Sequence, residues 1–383
     1  MMKLSLMAEV FQTVDEETNR SPVSDEIGRR WNLNGAEVYS GRGSETFAWP
    51  VQVEAKGKTS HFLRFSGKKE RFRRYIEGEM HFIQHLLAKG LPVLKPVREA
   101  ISTVVNLSIA SGDTVVVEDP GYRGAHAAVR EAGGEVVAAS VDSDGLNVQE
   151  WDARLLFTTP NHQFPTGCTM SLERRLSLLD WARRKNATII EDDYDTEFRR
   201  HRGVLESLKG LDTDDRVVHV GSLSTSIGRN LRIGYVVPTT RMREAFDTAS
   251  RSICSAGMIE QAAVASFMSR GFFRKYLKKA SAVLAEREVA FCEASAEYLG
   301  KMLTTSHTSV GTRVFGRWRL PERDVRLLEA AARRAGIVWD DPADGFLTRR
   351  KPCALFNLGG VERTEIGDTL RQVGEIARSV LEK

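Results

Sequence analysis

Short, continuous apolar runs alternate with longer amphipathic stretches from about residue 100 onward. Continuous runs of Val, Ile and Leu are typical of strands that are buried on both faces of a parallel sheet. The runs span residues 113–118, 136–141, 155–158, 188–191, 217–220 and 233–237. Helical periodicity over residues 122–132 and 172–185 falls between several of them. The alternation predicts an α/β fold whose mostly parallel sheet is covered by helices on both faces.

The pattern changes toward both ends of the chain. Residues 241–269 and 274–303 have the periodicity of long helices. After them, short strands and two amphipathic helices over residues 322–335 and 363–382 predict a small α+β domain. The predicted domains are a polar segment at 1–34, an α+β lobe at 35–97, a large domain with its connecting helices at 98–303 and a small domain at 304–383.

Four features of the lobe at residues 35–97 resemble the N-terminal lobe of the aminoglycoside-phosphotransferase-like kinases. They are a glycine-rich segment at 41–45, a strand with Leu63 and Arg64, the helical segment GEM at 78–80 and the closing run GLPVLKP at 90–96. The resemblance implies that Arg64 pairs with Glu79, on a predicted helix at 70–89, to position nucleotide phosphates. No catalytic loop of that family follows in the sequence. We therefore expect an incomplete lobe without phosphotransfer.

Composition changes this picture little. The chain has 55 basic and 51 acidic residues among 383, a net charge of +4, so we expect neither a nucleic-acid nor a membrane partner. The four cysteines form no CxxC pair, which indicates a reduced, cytoplasmic protein. The N-terminal residues lack the pattern of a signal peptide, and no apolar run is long enough to span a membrane.

Residues whose side chains can bind a ligand or take part in catalysis cluster where the predicted strands end. The segments are EDPGY at 118–122, TPNHQFPTG at 159–167, EDDYDTEF at 191–198, GSLSTSIGRNLRIGY at 221–235 and ALFNLGG at 354–360. Open α/β sheets bind ligands at the carboxyl ends of their strands. In order and spacing, these segments resemble the aminotransferase domain of MocR-type (GntR-family) regulators, a fold-type I pyridoxal-phosphate (PLP) domain. The resemblance covers residues 98–383.

The resemblance implies a PLP site at these strand ends. Tyr122 is expected to stack on the pyridine ring, because two flat rings give apolar contact and fix the cofactor plane. Asp192 is expected to keep the ring nitrogen protonated, and Tyr194 to donate to the ring hydroxyl. Polar groups for the ring substituents are expected from Asn161, His162 and Gln163. Hydroxyls and a guanidinium suited to the phosphate are expected from Ser222, Ser224 and Arg232.

Two positions depart from the family pattern. Thr225 stands where the family has its Schiff-base lysine, and a hydroxyl cannot form an imine with the cofactor aldehyde. Asn357 stands where many relatives have the arginine that binds the substrate carboxylate, and a neutral amide cannot supply a bidentate ion pair. The family's phosphate-binding S/T-x-G-x-Q segment is also absent, since residues 97–101 lead directly into a helix.

These departures predict an aminotransferase-like protein without normal transaminase activity, which holds PLP non-covalently and takes a small amino compound. Three alternatives stay open: a degenerate or recombinant fusion without activity, a non-enzymatic ligand-binding module, and a phosphotransferase, which the missing catalytic loop disfavours. The resemblance implies a homodimer. The sequence shows no winged-helix DNA-binding domain, which removes the usual reason to expect operator binding.

Overall fold

The computed structural model describes residues 36–40, 49–55, 58–65, 93–94, 97–198, 206–227, 233–252, 258–306, 310–348 and 351–382. The chain divides into two compact units, residues 1–85 with 259–271 and residues 86–258 with 272–383. No helix in these ranges is long and apolar enough to cross a membrane.

The first unit contains a three-stranded antiparallel sheet. Its strands are β1 (Ala36–Ser40), β2 (Trp49–Ala55) and β3 (Lys58–Phe65), in the order β1-β2-β3. Ala55 pairs with Lys58, so β2 and β3 are adjacent antiparallel strands. Glu79 and the helix predicted at residues 70–89 lie outside the described residues.

The second unit is built on an eight-stranded sheet in the order β4-β11-β10-β9-β8-β5-β6-β7. The strands are β4 (Val93–Leu94), β5 (Thr114–Asp119), β6 (Glu135–Asp142), β7 (Gly145–Leu146), β8 (Leu155–Thr158), β9 (Thr188–Asp193), β10 (Val217–Ser222) and β11 (Gly234–Val237). The five central strands, β10, β9, β8, β5 and β6, are parallel to one another. The predicted α/β fold with a mostly parallel sheet is confirmed.

Both faces of this sheet are buried, as the continuous apolar runs predict. On β5, Val115 and Val117 pack into one core, whereas Val116 packs into the core on the other face. The same alternation separates Ile190 from Ile189 on β9. Successive side chains of a strand point to opposite faces, so this parity also decides where the acidic residues at the end of β9 project.

The helices of the second unit cover these faces and complete the small domain. They are α1 (Val97–Ser108), α2 (Arg123–Glu131), α3 (Leu172–Lys185), the short α4 (Leu208–Leu211), α5 (Arg243–Ser252), α7 (Phe272–Leu299), α8 (Glu322–Arg334) and α9 (Arg363–Leu381). α6 (Met258–Ser269) groups almost entirely with the first unit. The single helix predicted at 241–269 thus corresponds to α5 and α6, and residues 253–257 between them lie outside the described residues.

Local sequence signals set the ends of α3. The Ser171 side chain accepts a hydrogen bond from the Arg174 backbone N–H and caps the first turn. Asn186 ends the helix in the left-handed conformation at φ 52°, a role that Asn tolerates better than most residues. Trp181 on the inner face of this helix is fully buried against the sheet.

The C-terminal part contains a second antiparallel sheet of three strands. They are β12 (Leu303–Thr305), β13 (Arg313–Trp318) and β14 (Cys353–Asn357), in the order β12-β13-β14. On one face Val314 and Phe356 pack with the helices α7, α8 and α9. On the other face Phe315 and Leu355 pack against Phe164, which belongs to the loop after β8. The small sheet therefore closes over the strand ends of the large sheet.

Candidate active site

A cavity of about 170 Å³ lies at the carboxyl ends of the central strands. Its described lining residues are Tyr122, Thr159, Phe164, Asp192, Tyr194, Ser222 and Arg313. Six of them end or follow β5, β8, β9 and β10, and the seventh begins β13. The structure therefore brings together Tyr122, Asp192, Tyr194 and Ser222, as the sequence predicts, at the edge where open α/β sheets bind ligands.

Asp192 is the most unusual group of this cavity. Its carboxyl group is buried, and its Oδ1 has no hydrogen-bond partner among the described residues. Burial, and to a lesser extent the negative charge of Asp193, raises its pKa to about 8, although the charge of His219 opposes the shift. Near neutral pH the carboxyl group is thus largely protonated, and it favours a ligand that brings a hydrogen-bond donor or a positive charge.

Aromatic rings surround this carboxyl group. The ring of Tyr122 lies edge-on to Phe164, with the ring centroids 6.0 Å apart. Tyr194 stacks on His162 at 5.4 Å and an interplanar angle of 25°. His162 lines a smaller adjoining cavity together with Tyr194 and Arg313, and so lies behind Tyr194 rather than in the main cavity. Burial raises the pKa of Tyr194 well above its usual value, which keeps its hydroxyl a hydrogen-bond donor.

A buried network around Glu118 fixes the loop after β8. Thr158 Oγ1 and Thr159 Oγ1 each donate to the carboxylate at 2.6 Å, and the Thr159 N–H and Gln163 Nε2 each donate at 3.1 Å. Burial raises the pKa of Glu118, although these hydrogen bonds lower it. Gln163 also donates to the carbonyl of Pro120 at 2.7 Å. The structure therefore assigns Gln163 to loop architecture, and not to the cavity, where the sequence predicted polar groups for a ring.

Asn161 also lies outside the main cavity. Its Nδ2 donates to Asp193 Oδ1 at 2.8 Å, and its Oδ1 accepts from Arg175 Nη2 at 3.0 Å. The Arg175 guanidinium is buried and donates as well to the carbonyls of Pro160 and Met170 at 2.9 and 3.0 Å. Arg175 thus holds both ends of the loop, which explains why a fully buried arginine occurs in α3.

The segment after β10 is described as far as Ile227. Ser222 is buried at the cavity, and its Oγ accepts from the Ser224 N–H at 3.3 Å. Thr225 is half-buried in the turn that follows, and neither Ser224 nor Thr225 is among the described lining residues. Arg232, the predicted phosphate ligand, lies outside the described residues.

Asn357, the predicted substrate-binding residue, ends β14 and is exposed. Its Oδ1 accepts from the Gly359 N–H at 2.9 Å and caps the short 3₁₀ turn Leu358–Gly360. It is not among the described lining residues of the cavity. Directly opposite, on β13, its register partner Arg313 does line the cavity.

Sequence reasoning missed Arg313 and also a clasp that secures the Tyr122 turn. The Asp119 carboxylate accepts from the N–H groups of Leu347 and Thr348, at 2.8 and 3.1 Å, and from the Thr348 hydroxyl. Nearby, the Gly121 N–H donates to the Gly345 carbonyl at 2.8 Å. These contacts join segments far apart in sequence, so no local pattern predicts them. No group of metal-binding side chains is present within the described residues.

The fold and this cavity define a protein of the aminotransferase class. Residues 70–310 match the family "Aminotransferase class I and II", and the chain belongs to that family. Similar solved structures include a kynurenine aminotransferase from Pyrococcus horikoshii (TM-score 0.70, 20% identity, 80% of this chain and 81% of that chain) and LysN, an α-aminoadipate aminotransferase from Thermus thermophilus (TM-score 0.71, 20% identity, 80% and 84%). These likenesses show the fold.

Curated relatives include MocR-type regulators, as the sequence motifs indicate. The probable rhizopine catabolism regulatory protein MocR of Rhizobium meliloti is 31% identical over 246 residues, 62% of this chain and 49% of that protein. The regulator TauR of Rhodobacter capsulatus is 42% identical over 131 residues, 34% of this chain and 27% of that protein. The chain spans about half the length of the first of these relatives.

Proposed function

We propose that this protein binds PLP without a covalent bond and does not carry out normal transamination. The observation that carries the proposal is the buried Asp192 carboxyl group, which faces a ring-sized aromatic cavity with an oxygen that no described residue satisfies. A buried polar atom without a partner costs free energy, and natural sites keep such an atom chiefly for a ligand. A protonated pyridine nitrogen would donate to it and lower its pKa.

The other lining residues fit the same group. Tyr122 offers an aromatic face, the Tyr194 hydroxyl offers a donor, and Ser222 offers a hydroxyl at the end of β10. The sequence motif alone proposes Ser224 and Arg232 as phosphate ligands, whereas His162 orients Tyr194 by stacking on it. When bound, PLP supplies an electron-accepting ring for reactions of amino compounds. The chain's own residues bind that ring, orient it and hold its nitrogen protonated.

The proposed loss of transamination rests on Thr225. By the family pattern this position carries the lysine, and the described lining residues of the cavity include no amine. Lys209 cannot replace it, because its Nζ donates at 2.7 Å to the carbonyl of Val217, at the opposite end of β10 from Ser222. A positioned acid or base typically contributes about 10²–10⁴-fold to a proton transfer. Without one, a small amino compound is bound and not turned over.

A PLP titration of the purified protein, followed by absorbance, tests this proposal. We expect saturable binding that dialysis reverses and that borohydride does not fix to the chain. Thr225→Lys should retain PLP through dialysis and become labelled by borohydride. Thr225→Gln, which adds length but no amine, is the control. If neither the wild-type protein nor Thr225→Lys binds PLP, the proposal is wrong and the alternative of a degenerate fusion without activity stands.

Two further parts of the proposal concern assembly and the first unit. We propose a homodimer, which light scattering of the purified chain would test against a monomer of 42.7 kDa. We also propose that residues 35–97 form a kinase-like lobe without phosphotransfer. The antiparallel sheet β1-β2-β3 supports that proposal. The family match from residue 70 onward overlaps its end. Binding of ATP without phosphorylation of an amine would agree with the proposal, and phosphorylation would contradict it.

A further inference from the structure

A second cavity lies in the small domain, on the face of its sheet that packs against the helices. Its volume is about 80 Å³, and it shares no described lining residue with the main cavity around Asp192. Leu355 of β14 lines the adjoining cavity behind Tyr194, whereas the next residue, Phe356, lines this second cavity. Strand β14 therefore separates the two sites, and we call the second one the helix-side cavity.

Helix α9 forms one wall of the helix-side cavity. Four of its residues line the cavity at the i, i+3, i+4 and i+7 spacing of a single helix face, namely Ile366, Thr369, Leu370 and Val373. Phe291 of α7 and Phe356 of β14 also line the cavity, and their ring centroids are 5.0 Å apart. A mostly apolar helix face and two aromatic rings therefore surround the space.

Residues 337–339 form a further wall, and hydrogen bonds made outside the cavity hold them in place. The Trp339 indole N–H donates at 3.1 Å to Oε1 of Glu329, which is not among the described lining residues. The following residue, Asp340, exchanges two backbone hydrogen bonds with Leu355, at 2.8 and 3.1 Å. The wall is therefore preformed, and a ligand loses little affinity to ordering of the protein.

The described lining of the helix-side cavity is apolar and carries no charge. Ten of its twelve residues are apolar, and the two polar ones are Asn357 and Thr369. The Thr369 hydroxyl donates to the Glu365 carbonyl at 2.7 Å, and Asn357 Oδ1 accepts from the Gly359 N–H at 2.9 Å. Asn357 is exposed and so lies at the mouth of the cavity, where its Nδ2 can donate to a ligand. An ionised group among these walls would lose its hydration without a counter-ion, so the site favours a neutral molecule.

The volume of the cavity limits the size of that molecule. One water occupies about 30 Å³ in the liquid, so 80 Å³ takes roughly three groups of that size. An apolar protein cavity that takes benzene has about 150 Å³, roughly twice as much. A branched alkyl group of about four carbon atoms therefore matches the space better than an aromatic ring does.

We propose that the helix-side cavity binds a small neutral molecule that has a branched alkyl group and a hydrogen-bond acceptor. The alkyl group lies between the α9 wall and the rings of Phe291, Trp339 and Phe356. The acceptor bonds to Asn357 Nδ2 at the mouth. This site goes beyond the proposed PLP binding and does not depend on it.

A matched pair of small molecules tests this assignment. 3-Methylbutanamide has the branched alkyl group and a neutral acceptor, whereas 3-methylbutanoate has the same alkyl group and a charge. In protein with isotope-labelled tryptophan, 3-methylbutanamide should shift the Trp339 indole N–H signal, which Trp339→Phe assigns. We expect saturation with a dissociation constant on the order of 1–10 mM, because few carbon atoms are buried. The carboxylate should bind at least about 10-fold more weakly, because no described lining residue compensates its charge.

Three variants test the place of binding. Val361→Phe puts a larger side chain into the lining and should weaken 3-methylbutanamide binding at least about 10-fold. Val289→Phe makes the same change at an exposed position of α7 outside the cavity, so this control should bind like the wild-type protein. Asn357→Asp keeps an acceptor for the Gly359 N–H but removes the Nδ2 donor. It should weaken binding about 3–10-fold, and it tests the site even where Val361→Phe fails to fold.

The proposal is wrong if 3-methylbutanamide gives no saturable shift, if the carboxylate binds equally well, or if Asn357→Asp binds like the wild-type protein. Addition of PLP should leave the shift unchanged, and displacement of the probe by PLP would place it in the main cavity and contradict the proposal. A Trp339 signal that shifts with protein concentration alone would show that a second copy of the chain covers the cavity, which also contradicts it. Failure of PLP binding leaves this inference intact, because the two cavities share no described lining residue.

Discussion

Strand β9 ends in three consecutive acidic residues, Glu191, Asp192 and Asp193, whose side chains have different surroundings on the two faces of the strand. Glu191 and Asp193 share one face and are both supplied with partners. Asp192 points to the other face, where its Oδ1 has no hydrogen-bond partner among the described residues. The three side chains have nearly the same chemistry and the same backbone. The difference indicates that the first face uses its carboxylates to hold the fold, whereas the second keeps one for a ligand.

The pKa directions on the two faces agree with this division. Burial alone would raise the pKa of Glu191, but the hydrogen bond and charge of His219, with the N–H groups of Leu208 and Lys209, hold it below its usual value. Burial would lower the pKa of His219, but Glu191 raises it. The two form an ion pair, with His219 Nδ1 3.0 Å from Glu191 Oε2. For Asp192 the charge of His219 opposes the shift only in part, and burial with the charge of Asp193 raises its pKa to about 8.

The largest expected effect on stability comes from removing the hydrogen bonds of Glu191. Glu191→Ala leaves two backbone donors and His219 without their acceptor, so the free energy of unfolding should fall by about 3–5 kcal/mol, as for other broken buried pairs. Urea denaturation measures this loss. Glu150→Ala, which breaks the exposed pair with Arg184, is the control and should leave the free energy of unfolding close to that of the wild-type protein. Equal losses in the two variants would contradict the structural role of Glu191.

The pH dependence of the unfolding free energy should report on Asp192, which lies on the other face of β9. The pKa of Asp192 is higher in the folded protein than in the unfolded chain, so folding favours its protonated form. That stability is fully present below about pH 4 and is lost as the pH rises through about 8. Without PLP, the wild-type protein should therefore lose on the order of 2–5 kcal/mol over this window relative to Asp192→Asn.

Urea denaturation of both proteins at several pH values makes this comparison. The His219–Glu191 pair titrates in both proteins, so the difference between them isolates Asp192. Parallel pH curves for the two proteins would show that Asp192 is satisfied or ionised in the folded state. That result would remove the contrast between the two faces of β9.

A smaller effect is expected at Asp119, a partnered carboxylate that is only half-buried. Asp119→Ala removes the acceptor for the Leu347 and Thr348 N–H groups, which water can partly replace. We expect a loss of about 1 kcal/mol in unfolding free energy, together with weaker PLP binding, because the Tyr122 turn is released. Asp344→Ala, which removes only the exposed pair with Arg123, should leave PLP affinity unchanged. Unchanged PLP affinity in Asp119→Ala as well would show that the contacts of Asp119 with Leu347 and Thr348 do not influence the cavity.

The sequence predicts the large sheet well because its signals are local. Continuous apolar runs identify the central strands, and the parity of β9 explains why Asp192 faces the cavity while its neighbours do not. The motif EDDYDTEF thus contains enough information to place Asp192 and Tyr194. The sequence gives a weaker indication of the role of Glu118. This acidic residue lies near the end of the buried strand β5, and Thr158 and Thr159, which donate to it, lie at the end of β8.

The residues that the sequence could not place depend on contacts between distant segments. Arg313 reaches the cavity only because the small sheet packs its Phe315 and Leu355 against Phe164. Nothing in the run GTRVFGRW distinguishes Arg313 from Arg317, since both have the parity of the same strand face. Asn357 was chosen by alignment to a family position, but its side chain is used to cap a turn. Tertiary packing, and not local pattern, decides which cation lines the site.

The central claim is that Asp192 is the carboxylate kept for the cofactor, and the most direct test is a PLP titration of two Asp→Asn variants of β9. Asp192→Asn and Asp193→Asn each neutralise one carboxylate, one residue apart, on opposite faces of the strand. By absorbance, the account predicts that Asp192→Asn weakens PLP binding at least about 10-fold, as the loss of a charge-assisted hydrogen bond does. Asp193→Asn should bind like the wild-type protein. Equal PLP affinity in both variants, or a larger loss in Asp193→Asn, would contradict the claim that Asp192 is the carboxylate kept for the cofactor.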